Sequence, residues 1–281
     1  RMKIKNVNSI GIPRTDIFFD EEYKTNKIKE IYQIYPQLKN KKVILFAPTF
    51  RGNNINNAYY DFEQIDFKAI KDGLSDEYFF IIKMHPFIQN TYSDKLDESF
   101  YLDLSHEREI NDLLFVTDIL ITDYSSVIFE ASLLNIKTIF FAYDLDEYIA
   151  SRDFFYPFVD YTYGPVVSKK SDLIDVIKSV QIDEVKLLEF KNKFTISCDG
   201  HSTKRFIDLL NIVFSIFKLL PVQKKITYIS RQMNTTPLDF KMVIENIHSK
   251  DSTYKHVVLA KMLTGGMKGY ISYSFHIFKQ I

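Results

Sequence analysis

The chain has 281 residues, 46% of them hydrophobic, and its 36 basic and 36 acidic side chains give a formal net charge of zero. This composition predicts a soluble globular protein of about two domains and excludes a global attraction to nucleic acid or to an anionic membrane. A single cysteine, Cys198, excludes an internal disulfide framework and favours a reducing compartment, and the histidines lack metal-ligand spacing, so we expect no metal and no other cofactor.

The first half of the chain alternates polar helices with short apolar runs. Residues 1–16 contain Gly11 and Pro13 and predict a connection from an upstream domain, and the start at Arg1 rather than Met suggests a fragment of a longer protein. The pattern predicts strands over residues 43–46, 78–82 and 100–105 and helices over 21–32, 62–74 and 109–115.

A predicted β-α-β unit, residues 117–148, follows. Its strands are predicted over residues 119–121 and 138–141, its helix starts near Val127, and residues 143–148 are predicted as an acidic, aromatic loop. Further along we predict a short strand from residue 164 and helices over 170–180, 183–194 and 201–220. The turn before the last helix, which includes Gly200 and Ser202, is a second candidate for anion binding at a helix start.

The order of elements restarts after Pro221. Strands are predicted over residues 224–230 and 254–261 and helices over 237–248 and 266–279. Residues 206–222 are apolar but interrupted by polar and charged side chains, so no membrane span is predicted. We therefore divide the chain into a connection (1–16), a binding domain (17–218) and the start of a second α/β domain (219–281), which is too short to close a sheet.

Polar side chains follow three of the predicted strands. The carboxyl ends of parallel strands meet at one edge of a sheet, so these side chains are expected to converge on a phosphate-binding site. The candidates are Thr49 and Arg51 after the first strand, Lys83 and His85 after the second, and Asp123, Ser125 and Ser126 in the β-α-β unit, with Glu130 one helical turn further on. Some of them also have a purely structural explanation: Ser125 or Ser126 as helix cap, His85 as a satisfied core residue, and Glu130 as a charge that compensates the helix dipole.

Six segments in this order resemble the CDP-glycerol glycerophosphotransferase family, the teichoic-acid polymerases and primases of bacterial cell envelopes. They are GIPRTDIFF, VILFAPTFRGN, IIKMHPF, DILITDYSSVIFEASLLNIKTIFFAYDLDEY, GPVV and CDGHS, and the likeness covers about residues 8–218. The resemblance implies an α/β fold with a Rossmann-like parallel sheet and helices on both faces, the GT-B-like nucleotide-binding domain, followed by a partial second α/β domain.

The resemblance also implies an activity: transfer of glycerol phosphate or another polyol phosphate from a CDP-activated donor to an acceptor hydroxyl, with release of CMP. It places the donor's pyrophosphate at His85, Ser125 and Ser126, with Arg51 and Thr49 nearby, and it directs Glu130 toward the polyol. Family members commonly have Asp at this position, so glycerol and ribitol both remain open. His85 and Arg51 would neutralise the leaving phosphate without a metal.

One departure from the family concerns the general base. The family's proposed base is a histidine in a Trp-His-Gly motif, and this chain contains no Trp. Its last 60 or so residues instead resemble the opening of another family N-terminal domain, as expected for a tandem enzyme cut between units, or for a permuted or truncated homologue. Two alternatives stay open: a GT-B glycosyltransferase that uses a nucleotide sugar, and a non-catalytic nucleotide-binding fragment.

The expected partners follow from the same resemblance. They are a CDP-polyol donor and a lipid-linked or polymeric polyol-phosphate or glycan acceptor, with any contact to a membrane surface made by regions outside this chain, and no nucleic acid. A cytoplasmic location is expected, and peripheral association with the inner face of the cell membrane stays open.

Overall fold

The structure, a computed structural model, describes residues 8–52, 54–88, 96–152, 154–217, 225–230 and 238–260. The chain divides into two compact units, Arg1–Ile207 and Asp208–Ile281. The predicted boundaries at residues 16 and 218 remain predictions.

The first unit is built on a six-stranded sheet in which every neighbouring pair is parallel. Its strand order is β3-β2-β1-β4-β5-β6, the order of the doubly wound nucleotide-binding fold. The strands are β1 (Lys42–Phe46), β2 (Tyr78–Ile82), β3 (Tyr101–Asp103), β4 (Ile119–Thr122), β5 (Lys137–Phe141) and β6 (Val166–Val167).

Helices cover both faces of this sheet, because alternate residues of each central strand point to opposite sides. Phe46 and Phe80 pack with helices α2 (Phe67–Leu74) and α6 (Leu173–Ser179) on one face. Leu45 and Phe79 pack on the other face with α1 (Glu21–Ile34), α3 (Ile110–Leu114) and α4 (Val127–Leu133). The predicted Rossmann-like sheet with helices on both faces is thus confirmed.

Aspartate caps explain where several helices begin. Asp20 accepts a hydrogen bond from the Tyr23 backbone N–H at the start of α1, and Asp66 accepts one from Ala69 at the start of α2. Asp183 does the same for α7 (Glu184–Phe190). Each bond satisfies one of the backbone donors that a helix leaves unpaired in its first turn.

Four sequence predictions need correction or fall outside the described residues. Residues 143–148 are not wholly a loop, because helix α5 (Leu145–Ser151) begins within them. The predicted strand 100–105 shortens to β3, and α7 ends at Phe190, where a π-helical turn over Lys191–Thr195 takes over. The predicted helix over 266–279 lies outside the described residues.

The second unit contains a parallel pair of strands, β7 (Lys225–Ser230) and β8 (Lys255–Ala260), joined through α9 (Leu238–Lys250). The predicted strand–helix–strand order of this segment is therefore present. Helix α8 (Ser202–Phe217) precedes it in the chain.

Candidate functional site

The loops after β1 and β4 meet where the strand order reverses, the position at which open parallel sheets bind ligands. They are joined directly: Thr122 Oγ1 donates to the Ala47 carbonyl at 2.7 Å, and the Thr49 backbone N–H donates to Asp123 Oδ1, also at 2.7 Å. The predicted neighbours Thr49 and Asp123 are thus brought together. The Thr49 hydroxyl is buried and has no hydrogen-bond partner among the described residues.

Arg51, in the loop after β1, is buried and is held by two carboxylates. Its Nε and Nη2 donate to Asp144 at 2.5 and 2.8 Å, and its Nη1 donates to Asp123 Oδ2 at 2.9 Å and to the Thr49 carbonyl at 2.7 Å. Burial opposes the charge, but the hydrogen bond to Asp144 and the charges of both carboxylates raise the pKa of Arg51 above its ordinary value. These bonds favour a structural role for Arg51. Its catalytic role stays a prediction, and it would require these bonds to open.

Four tyrosine rings surround this guanidinium, all within 5.1–5.7 Å of its Cζ: Tyr60, Tyr124, Tyr143 and Tyr148. Tyr124 also stacks on Tyr148 and donates its hydroxyl hydrogen to Asp144. Arg51 therefore connects the loops after β1 and β4 to helix α5.

His85 lies at the end of β2, half-buried between two phenylalanines. Its ring centroid is 4.8 Å from that of Phe50 and 4.6 Å from that of Phe87. The Phe87 backbone N–H donates to its Nδ1 at 3.1 Å. Burial, followed by the charges of Lys83 and Arg152, lowers the pKa of His85. The lowered pKa favours the neutral form of the imidazole.

Lys83 contacts the loop that follows β3. It is buried, and its ammonium donates to the Ser105 carbonyl at 3.3 Å. Burial lowers the pKa of Lys83, and the acidic residues Asp103, Glu107 and Glu109 act in the opposite direction. Its prediction as a ligand is not supported by this contact, since Ser105 follows β3 on the side away from β4.

The turn from β4 into α4 presents two serines that differ in exposure. Ser126 is exposed and its side chain does not cap the helix, whereas Ser125 is half-buried and its Oγ accepts a long bond of 3.4 Å from the Val127 backbone N–H. The simple capping explanation therefore fails for Ser126. Its hydroxyl is accessible to a ligand.

Glu130 is buried on the first turn of α4, with 2% of its side chain exposed. Its Oε1 accepts from Arg14 Nη2 at 2.5 Å and from Nε at 3.1 Å. Its Oε2 has no hydrogen-bond partner in the described part of the chain. Glu130 thus forms an ion pair with Arg14 in addition to any compensation of the helix dipole. Its buried Oε2 remains available to accept a hydrogen bond.

Gly200 and Ser202 lie in a different environment from the one that sequence predicts. The backbone N–H groups of Ser202 and Thr203, at the start of α8, donate to the two oxygens of Asp16 at 3.0 and 2.7 Å. Gly200 has φ of 85°, and a Cβ there would come within 2.8 Å of Phe19 Cβ. The anion at this helix start is the protein's own carboxylate, and ligand binding by Gly200 and Ser202 stays a prediction.

These contacts belong to a larger contact between the ends of the first unit, which we call the terminal clasp: residues 9–16 with residues 197–205. Ser9 and Ser197 hydroxyls lie 2.6 Å apart, and Arg205 donates to the Ile10 and Ser197 carbonyls. Since Arg14 is part of this segment, the clasp also positions the partner of Glu130.

Sequence reasoning missed Asp144, Arg14 and Arg152. Asp144 lies in a segment that was predicted to be an acidic loop, and nothing local signals its pairing with Arg51. Arg14 was detectable, because the chain has only seven arginines and this one lies in the GIPRTDIFF segment. Within the described ranges, no group of three His, Cys, Asp or Glu side chains is arranged to hold a metal ion, and no helix is long and apolar enough to cross a membrane.

Comparison with known proteins agrees with this architecture. Residues 1–215 match a profile of CDP-glycerol:poly(glycerophosphate) glycerophosphotransferases. The teichoic acid poly(ribitol-phosphate) polymerase of Bacillus spizizenii is 47% identical over 75% of this chain and 34% of its own length. The teichoic acid glycerol-phosphate transferase of Staphylococcus aureus is 34% identical over 69% of this chain and 51% of its own length.

A solved structure gives the same fold. A variant of the wall teichoic acid polymerase TagF, soaked with CDPG, superimposes with a TM-score of 0.60 and 29% identity over 79% of this chain and 54% of that one. The chain spans about a third to a half of the length of these proteins.

Proposed function

Because this chain belongs to the CDP-glycerol:poly(glycerophosphate) glycerophosphotransferase family, we propose that it binds a CDP-activated polyol phosphate for transfer to a hydroxyl of a teichoic-acid acceptor. The observation that carries the proposal is the geometry of the sheet. The ends of β2, β1 and β4 lie side by side at the point where strand order reverses, with His85 on one side and the exposed Ser126 on the other. Strands two apart are separated by about 10 Å, which a nucleotide diphosphate with its substituents can span.

The reaction is a phosphoryl transfer. The acceptor's hydroxyl oxygen forms a bond to the phosphorus that carries the polyol, the bond from this phosphorus to the CMP oxygen breaks, and CMP leaves with the electron pair. Catalysis then depends on positioning and on neutralising the leaving phosphate. The hydroxyl proton has to pass to a base, and we assign to this chain donor binding rather than proton removal, since it has no Trp-His-Gly motif.

For the polyol we propose ribitol. Identity to the ribitol-phosphate polymerase is 47%, against 34% to the glycerol-phosphate transferase. Glu130 supports a polyol ligand in general, because its Oε2 is a buried acceptor without a partner among the described residues and a hydroxyl group would satisfy it. The same proposal includes the teichoic-acid acceptor and peripheral action of the protein at the inner face of the cell membrane.

Calorimetric titration of the 281-residue chain tests the donor. We expect CDP-ribitol to bind more tightly than CDP-glycerol, and a UDP-sugar to bind far more weakly than either. Glu130→Asp, which withdraws the carboxylate by one methylene, is expected to reduce the difference between the two CDP-polyols. Preference for the UDP-sugar would favour a nucleotide-sugar glycosyltransferase and would refute the proposal.

Release of CMP tests the transfer itself. When the chain, CDP-ribitol and a teichoic-acid acceptor are supplemented with a family domain that carries the general base, CMP should accumulate. Tight donor binding without any CMP would point to the non-catalytic nucleotide-binding alternative.

A further inference from the structure

Arg152 lies at the end of α5 and is held against the loop that follows β1. Its Cζ lies 4.5 Å from the centroid of the Phe50 ring and 5.5 Å from that of Tyr148, and its Nη2 donates to the Gly52 carbonyl. The side chain is exposed. Among the residues that the structure describes, no carboxylate lies within ion-pair distance of Arg152, in contrast to Arg51 and its two carboxylates.

Phe50 connects Arg152 to His85. The guanidinium of Arg152 lies over the Phe50 ring, and the imidazole of His85 packs against the same ring at 4.8 Å. The positive charge of Arg152 is felt at the imidazole, since it contributes to lowering the pKa of His85. The two groups therefore flank one aromatic ring, and an anion with two phosphate groups can contact both.

The hydrogen bond at Nδ1 determines what His85 can offer. The Phe87 backbone N–H donates to Nδ1, so a neutral imidazole must carry its single proton on Nε2. Protonation of Nδ1 would replace this acceptor with a second donor facing the same N–H. His85 is therefore an uncharged donor, and a bound diphosphate needs its positive charge from another residue.

The other cations predicted for this site are already engaged. Arg51 is bound by Asp123 and Asp144, and Lys83 is buried with its ammonium on the Ser105 carbonyl. Arg152 is both accessible and close to His85. A planar guanidinium also matches the oxygens of a phosphate group through two parallel N–H donors.

We propose that Arg152 and neutral His85 together bind the diphosphate of the donor, Arg152 supplying the positive charge and His85 a hydrogen bond from Nε2–H. The inference rests on the proposed function, since it names the ligands of that same site. In this proposal the positive charge at the site comes from Arg152, more than 100 positions further along the chain than Arg51.

The test measures the affinity of the full chain for CDP and for CDP-ribitol in Arg152→Gln, Arg152→Lys and the control Lys42→Gln. Lys42 begins β1, at the opposite edge of the sheet, and forms an exposed ion pair with Glu77, so its variant makes the same charge change away from the site. Arg152→Gln is expected to weaken both ligands about 10- to 100-fold, the usual effect of losing a charged hydrogen bond. Arg152→Lys should weaken them less, since it keeps the charge, and Lys42→Gln should leave them unchanged.

A second readout separates ligand binding from simple support of the loop. NMR titration of the His85 ring should give a higher pKa in Arg152→Gln than in the wild type or in Lys42→Gln, and Arg152→Lys should restore most of the difference. Unchanged CDP affinity in Arg152→Gln, with normal binding by the wild type, would overturn this inference and leave the proposed function intact. Failure of the wild type to bind CDP or CDP-ribitol would overturn the proposed function, and the inference with it.

Discussion

Replacement of Arg51 by alanine is expected to unfold the first unit more readily rather than simply to weaken donor binding. The guanidinium is buried, and its removal leaves Asp123, with 1% of its side chain exposed, and Asp144, with 12%, without their cation. Breaking a buried ion pair from one side typically costs about 3–5 kcal/mol. For a unit of roughly 200 residues, this corresponds to a fall in melting temperature of about 6–20 °C.

Thermal unfolding followed by circular dichroism gives the measurement, with Lys42→Ala as the control. Its exposed ion pair with Glu77 should contribute less than about 1 kcal/mol. The double variant Arg51→Ala/Asp144→Ala should lose less stability than the two single variants combined, because both single variants disrupt the same ion pair. An Arg51→Ala protein with a wild-type melting temperature and weaker CDP binding would refute this reasoning and return Arg51 to the ligand-binding site.

Two further predictions concern pH and helix capping. Since the pKa of His85 is lowered by burial and by two nearby cations, the unfolded chain takes up a proton at this histidine that the folded chain does not. The free energy of unfolding should therefore decrease as pH falls through about 6.5. In urea unfolding, His85→Gln should reduce this dependence of stability on pH. An equal dependence in both proteins would contradict the lowered pKa. Asp16→Ala should lower the free energy of unfolding by about 0.5–2 kcal/mol. Asp16→Asn should lower it less, because the amide oxygen can still accept a hydrogen bond from the backbone N–H of Ser202 or Thr203. Equal losses in the two variants would show that the helix cap is not the cause.

The sheet was predictable because its determinants are local. Each central strand is a continuous apolar run, which is the pattern of a strand buried on both faces, and β2 has the bounds that the sequence predicts. Helix α5 was missed because only seven residues form it, and its first residues are acidic and aromatic without a helical period. Its placement depends on Tyr148 stacking on Tyr124, a contact outside any local window.

The edge of the sheet that carries the candidate residues was predictable, but the contacts of each residue were not. Polar residues after β1, β2 and β4 do lie along one edge of the sheet, as parallel topology requires. What sequence could not supply is the pairing: Arg51 binds carboxylates 72 and 93 residues away, and Asp16 caps a helix 186 residues further along. These partners decide which charged groups remain accessible to a ligand, and they engage the guanidinium of Arg51, for which the sequence predicts a role at the leaving phosphate.

The terminal clasp also determines how this unit can be combined with others. Ser9 and Ser197 are 188 positions apart in the chain, yet their hydroxyls touch, so the polypeptide enters and leaves the unit at one place. A module with adjacent entry and exit points can be inserted between other domains, duplicated or circularly permuted with little disturbance to its interior. By the same reasoning, a recombinant boundary placed at residue 17 would remove half of the clasp, whereas one placed before Ser9 would keep it.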